Sequence, residues 1–265
     1  MPMLETDDGA VSYALREPTS PWLGEAETIL FHHGVGACGP CWGGWMPALL
    51  ERYRLLTFDL PGHGASPVAS GPLSMDRLAA TVLALADAAG CERFHLVGES
   101  IGGTVALKVA VEHGPRLRSL TISNGAHLGA SIENLENWRG LIDGPGGMAS
   151  WSAMMMERRF HADALSAAQR DWYQRQQATA DGATVLALAE ALVGTDLGEA
   201  ARGVDVPTLL LHPDSSPFIP VPAMADLHAR LPRARLQIFA HARHGLPFSH
   251  AAACASVLRD FLDGL

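Results

Sequence analysis

Ser100 stands in the stretch Leu96-Val97-Gly98-Glu99-Ser100-Ile101-Gly102-Gly103. Phe94, Leu96 and Val97 have strand propensity and run into a Gly-x-Ser-x-Gly turn. An apolar, helix-compatible run follows from Thr104 to Val111. A turn this tight between strand and helix forces Ser100 into a strained backbone conformation and lifts its hydroxyl above the sheet. Gly98 and Gly102 lack Cβ atoms, so the strand and helix can close on each other. The helix N-terminus favours negative charge there. Strand, turn and helix together form an elbow and make Ser100 a candidate nucleophile.

A serine needs a base to attack at neutral pH, and donors for the oxyanion that forms. The segment Phe239-Ala240-His241-Ala242-Arg243-His244-Gly245 follows the last expected strand and precedes the last helix. His244 is the candidate base, with His241 as its competitor. The oxyanion donors are expected to be backbone N–H groups: Ile101, directly after the nucleophile, and Val35, in His33-Gly34-Val35-Gly36 after the first buried strand. The candidate acid is Asp214. It is the one carboxylate in Pro213-Asp214-Ser215-Ser216-Pro217-Phe218-Ile219-Pro220, and it could orient His244 and stabilise its imidazolium.

These groups need a scaffold. Expected strands are Met3–Glu5, Val11–Arg16, Thr28–His32, Tyr53–Phe58, the elbow strand, Leu117–Ile122, Thr208–His212 and Arg235–Phe239. Asp7-Asp8-Gly9 reads as a hairpin turn. Expected helices cover Trp42–Tyr53, despite Pro47, then Ser74–Ala89, the elbow helix to about His113, Val221–Leu231 and about Ser249–Leu262. Strand–helix alternation predicts a mostly parallel central sheet with helices on both faces. It breaks after Asn124, and residues 127–202 read as several helices. That block is expected to be a cap over the carboxyl ends of the strands, inserted into a core of residues 1–126 and 203–265.

The bulk properties fit an α/β unit with an insertion. The chain has 265 residues, 48% hydrophobic and 18% charged, enough for a large core. Its formal charge of −9 offers no basic field, so no nucleic-acid partner is expected. The acidic start, Met1 to Asp8, does not read as a secretion signal, and no apolar run is long enough to span a bilayer. Four cysteines in so long a chain read as reduced thiols, which predicts a cytoplasmic location.

Cys38-Gly39-Pro40-Cys41, with His32 and His33 nearby, has redox or metal spacing. It leaves the expected oxyanion strand, however, so neither metal nor cofactor is predicted, and Cys41 and Trp42 are expected to wall the pocket. Further pocket candidates are His33, Gly34, Trp138, Trp151, Met155 and Arg158. Trp172, Tyr173, Met154 and Met156 supply other apolar bulk in the cap. Arg139, Arg158 and Arg159 could clamp a substrate carboxylate, or simply be solvated.

On His33-Gly34-Val35-Gly36, Phe58-Asp59-Leu60-Pro61-Gly62-His63-Gly64-Ala65-Ser66, the elbow, the Pro217–Pro220 turn and Arg243-His244, the chain resembles the α/β-hydrolase superfamily over nearly its whole length. Trp138 and Glu157-Arg158-Arg159-Phe160 are similar to cap residues of 3-oxoadipate enol-lactonases and their esterase relatives. The resemblance implies hydrolysis of a small ester or lactone through an acyl-enzyme, with a structural turn at Asp59 and His63. It also exposes a departure. The relatives usually carry Asp directly before the proline matched by Pro217, and this chain has Ser216 there. Three alternatives follow: a rearranged loop bringing Asp214 to His244, an acid position after the preceding strand, where Ser123 and Asn124 stand, or a Ser–His dyad.

Rival readings are a C–C bond hydrolase or cofactor-free perhydrolase on the same residues, and a ligand-binding protein with an impaired triad. Epoxide hydrolase or dehalogenase chemistry is disfavoured, since relatives with those activities carry Asp where Ser100 stands. The expected partner is a small-molecule substrate. A homodimer is left open.

Overall fold

A computed structural model describes residues 2–6, 9–129 and 135–265. Its strands are β1 (Met3–Thr6), β2 (Gly9–Arg16), β3 (Thr28–His32), β4 (Arg54–Phe58), β5 (Phe94–Glu99), β6 (Leu117–Ser123), β7 (Thr208–Pro213) and β8 (Ala234–Phe239). They form one sheet in the order β1-β2-β4-β3-β5-β6-β7-β8. β1–β2 and β2–β4 pair antiparallel, and every pair from β4 to β8 is parallel. The expected hairpin turn at Asp7 and Asp8 lies outside the described residues.

Burial follows position in the sheet. Every residue of β3, β5 and β7 is buried, because helices cover both faces of the central strands. The edge strands β1 and β8 alternate along their length instead.

The helices are α1 (Met46–Leu49), α2 (Met75–Ala88), α3 (Ile101–His113), α4 (Leu135–Ile142), α5 (Gly147–Arg159), α6 (Ala167–Ala178), α7 (Gly182–Val193), α8 (Val221–Arg230), α9 (Leu246–Ser249) and α10 (Ala251–Leu262). Ser74 caps α2 by accepting the Arg77 amide, and Ser166 with Gln169 forms a capping box on α6. The helix expected over Trp42–Tyr53 is different. A 3-10 segment covers Gly39–Trp45 and α1 lasts one turn, consistent with Gly43-Gly44 and Pro47 in its path. Among the described residues, no helix is long and apolar enough to cross a membrane.

Because β3 to β8 run parallel, the loops that leave them emerge at one edge. Of the helices between β6 and β7, α4, α5 and α7 contribute residues to a cavity at that edge.

Candidate active site

Ser100 joins β5 to α3 with φ 56° and ψ −121°, the left-handed region that non-glycine residues rarely occupy. Neighbouring backbone enforces the turn. A Cβ on Gly98 would lie 2.1 Å from the Gly102 carbonyl oxygen, and one on Gly102 would lie 2.4 Å from the His32 carbonyl oxygen. The Ser100 amide donates to the Ser123 carbonyl at 2.9 Å, which ties the elbow to β6.

His244 Nε2 lies 3.1 Å from Ser100 Oγ. The ring is buried and meets Phe218 edge-on, with centroids 4.8 Å apart. Burial, reinforced by the positive charge of Arg159 and by His212, holds the imidazole well below its ordinary pKa of 6.5. Asn124, itself at φ 55°, donates through Nδ2 to the His244 carbonyl at 2.6 Å and so fixes the backbone of that residue. His241 faces elsewhere: it is exposed, stacks on His161 with centroids 4.4 Å apart, and its Nε2 meets Asp163 at 3.1 Å.

The acid position corrects the sequence reading. The Asp214 carboxylate accepts the amides of His241 and Ala242 at 2.9 and 3.1 Å, and the Ser215 hydroxyl at 2.9 Å. Desolvation pushes its pKa up, but the two amides and the Ser215 hydroxyl together outweigh it and hold the pKa below the usual value. Asp214 therefore pins the loop that precedes His244. The group at His244 Nδ1 is the Ser216 hydroxyl, 3.1 Å away. Ser123 Oγ is buried without a partner, and Asn124 holds the backbone of His244 rather than its ring.

A relay of histidines shapes the loop after β3. The Leu60 amide donates to His33 Nε2 at 2.9 Å, so Nδ1 carries the ring proton and donates to the Gly34 carbonyl at 2.8 Å. The Ala37 amide donates to the same carbonyl at 3.1 Å. With Gly34 O held on one side of a trans peptide, the Val35 N–H is directed to the other. His63 accepts the Gly36 amide at 2.9 Å and donates to the Pro61 carbonyl at 2.8 Å. Asp59 accepts the amides of Gly39 and Ala65 at 2.7 and 2.9 Å. The Asp59–Ser66 segment thus buttresses the loop that presents Val35.

A cavity of about 30 Å³ lies over Ser100 and His244. Val35, Ala126, Trp138, Met155, Arg159, Ala189, Leu192, Val193, Phe218 and Ile219 complete its wall. Of the expected pocket residues, Trp138 and Met155 are on this wall. His33, Gly34, Trp42, Trp151 and Arg158 are not. His33 supports the loop from within the core. Gly34 packs so tightly that a Cβ there would lie 3.0 Å from Ser100 Cβ. Trp42 turns inward against Phe31 and Trp45. Trp151 stands edge-on behind Trp138. Arg158 lies over the Phe218 ring, 5.8 Å from its centroid. Cys38 and Cys41 are free thiols with sulfurs 3.9 Å apart, and they pack with Met156, Phe160 and Tyr173.

Arg159 carries the charge that the sequence left among three arginines. Arg139 pairs with Glu190 on the surface. Arg159 is buried, donating to Glu99 Oε1 at 3.4 Å and to Tyr173 Oη at 3.1 Å. Burial raises the Glu99 pKa against the opposing pull of Arg159 and the Gly34 amide. The Glu99 and Arg159 contacts, like those of Asn124 and Phe218, have no local pattern that would mark them in the sequence.

The model of the "Alpha/beta hydrolase family" matches residues 29–257. A pimeloyl-[acyl-carrier protein] methyl ester esterase from Neisseria meningitidis serogroup C is 31% identical over 252 residues, covering 88% of this chain and 92% of its own. A Caulobacter sp. (strain K31) relative, named for carbamate hydrolysis, is 26% identical over 254 residues, covering 91% of this chain and 92% of its own. The crystal structure of the enol-lactonase from Burkholderia xenovorans LB400 superposes with a TM-score of 0.90 at 23% identity, covering 99% and 100% of the two chains.

Proposed function

This chain belongs to the alpha/beta hydrolase family, and from that premise we propose that it is a serine hydrolase of a small, uncharged carboxylic ester or lactone. The observation that carries the reading is the 3.1 Å approach of His244 Nε2 to Ser100 Oγ on the strained elbow, at the floor of a narrow apolar cavity. Ser100 Oγ attacks the substrate carbonyl as its proton passes to His244 Nε2. The N–H groups of Val35 and Ile101 receive the developing oxyanion. His244 returns the proton to the leaving alkoxide. It then takes one from water, whose oxygen attacks the acyl-enzyme, and passes that proton to Ser100 Oγ as the carboxylic acid departs.

Arg159 bears on the substrate class. An unpaired cation in the wall would select a carboxylate, but Glu99 already faces this one. An uncharged acyl group against Trp138, Met155 and Leu192 fits the wall better than the charged lactone that the enol-lactonase resemblance implies. The relatives' ester and carbamate substrates keep both bond types in view.

A fluorophosphonate probe, which reacts with activated serines, tests the assignment. Mass spectrometry should find the label on Ser100, lost in Ser100→Ala and strongly reduced in His244→Ala. A panel of short esters, lactones, carbamates and C–C substrates then ranks the bond cleaved. Neither labelling nor turnover would favour the second reading, a ligand-binding protein with an impaired triad. Ser216 at the acid position is the observation that supports that rival.

A further inference from the structure

Three nitrogens converge on one hydroxyl. The amide nitrogens of Phe218 and Ile219 lie 3.4 and 3.3 Å from Ser216 Oγ, and His244 Nδ1 lies 3.1 Å from it. A serine hydroxyl has two lone pairs and one hydrogen. The two amides can only donate, so they occupy both lone pairs. The hydrogen is left, and among the described residues His244 Nδ1 is the acceptor within reach. We infer that Ser216 donates its hydroxyl hydrogen to His244 Nδ1 and so holds the resting imidazole with its own proton on Nε2, facing Ser100.

This inference rests on the hydrolase reading and sharpens it. With the proton on Nε2, the imidazole donates to Ser100 Oγ and has no lone pair there with which to deprotonate it. Reaching the competent form takes one proton off Nε2 and puts one on Nδ1, exchanged through water. The Ser216 hydroxyl must turn a lone pair toward Nδ1, leaving the two amides to share the other. Ser216 is then a positioning residue that holds the nucleophile in check. A carboxylate at the same place would behave oppositely, since its two oxygens can accept all three N–H groups at once. The nearby carboxylate cannot substitute, because Asp214 is engaged with the His241 and Ala242 amides. The loop thus keeps donors arranged for an anion around a neutral group.

The test reads the proton directly. Imidazole ¹⁵N shifts of histidine-labelled wild-type protein, with His244→Gln to assign the signal, should show His244 protonated on Nε2 at neutral pH. In Ser216→Asp the proton should move to Nδ1. Fluorophosphonate labelling of Ser100 should accelerate on the order of 100-fold or more in Ser216→Asp. It should accelerate several-fold in Ser216→Ala, where Nδ1 is released to water. A wild-type imidazole protonated on Nδ1 overturns the proposal, and so does a Ser216→Ala variant that labels more slowly than wild type. The wild-type spectrum decides the matter even where a variant fails to fold. If no form labels at Ser100, the hydrolase reading falls, and the spectrum still judges the tautomer separately.

Discussion

Arg159 on α5 donates through Nη2 to the Val35 carbonyl at 2.5 Å, joining residues 124 positions apart in the chain. The same guanidinium faces Glu99, the residue before Ser100. One buried side chain therefore connects α5, the loop after β3 and the turn at Ser100.

Replacing Arg159 with Met should be costly, because Glu99 would be left buried without its cation. Breaking such a pair from one side costs about 3–5 kcal/mol, whereas replacing both partners is often close to neutral. Urea unfolding of Arg159→Met, Glu99→Gln and the double variant checks this. The double variant should recover much of the loss. A single-variant cost under about 1 kcal/mol would mean that the pair adds little.

His33 should act on turnover more than on substrate affinity. Its ring carries the Leu60 amide on one nitrogen and holds the Gly34 carbonyl with the other. His33→Ala frees the peptide that aims the Val35 N–H, and loss of one oxyanion donor costs roughly 10²- to 10³-fold in kcat. Steady-state kinetics on the best ester of the panel should show kcat falling by at least about tenfold with KM changed far less. A variant that raises KM and leaves kcat intact would place His33 in binding instead.

Much of this site was legible because its signals are local. The elbow is written in consecutive residues, and the steric reasons for Gly98 and Gly102 hold wherever the chain folds. The strand–helix alternation also has short-range causes. Asp214 was misread because reach depends on a loop closed from two sides. His241 at φ 54° turns its amide toward the Asp214 carboxylate, and the Ser216-Pro217-Phe218 turn gives Nδ1 to a different residue. Trp42 was misassigned with the helix expected to carry it. Once that segment becomes a 3-10 turn, the indole faces Phe31 rather than the cavity. Which of three arginines is buried was likewise settled by packing between α5, α6 and the loop after β3, not by spacing.

Acid should destabilise the fold in a window set by its buried histidines. Burial lowers His32 and His63 to about 4 and holds His33 and His244 well below 6.5. Between 6.5 and about 4 the unfolded chain binds protons that the folded chain refuses, so stability rises with pH. The contribution is present above 6.5 and is lost as pH falls toward 4. For His32 and His63 the loss approaches roughly 3 kcal/mol each at the lower end of that window. Urea midpoints at pH 7.5, 6 and 5 should fall in that order, and a flat series would contradict the burial argument. By the same depression, loss of activity through protonation of His244 should begin well below pH 6.5.

Asp214→Asn separates a loop-pinning role from a catalytic one. The carboxylate accepts two amides and a hydroxyl at the exit of β7. Asn offers one carbonyl oxygen to the two amides and no charge. Charged hydrogen bonds at an exposed site contribute about 1 to 2 kcal/mol, so a stability loss of that size is expected. His244 keeps Ser216 at Nδ1 and Asn124 at its carbonyl, so kcat should fall by less than about tenfold. Loss of the acid in a working triad costs about 10⁴-fold, far outside that range. Parallel unfolding and initial-rate measurements on Asp214→Asn therefore distinguish the two. A fall of several orders of magnitude in kcat at unchanged stability would return Asp214 to the triad and require the loop to rearrange when substrate binds.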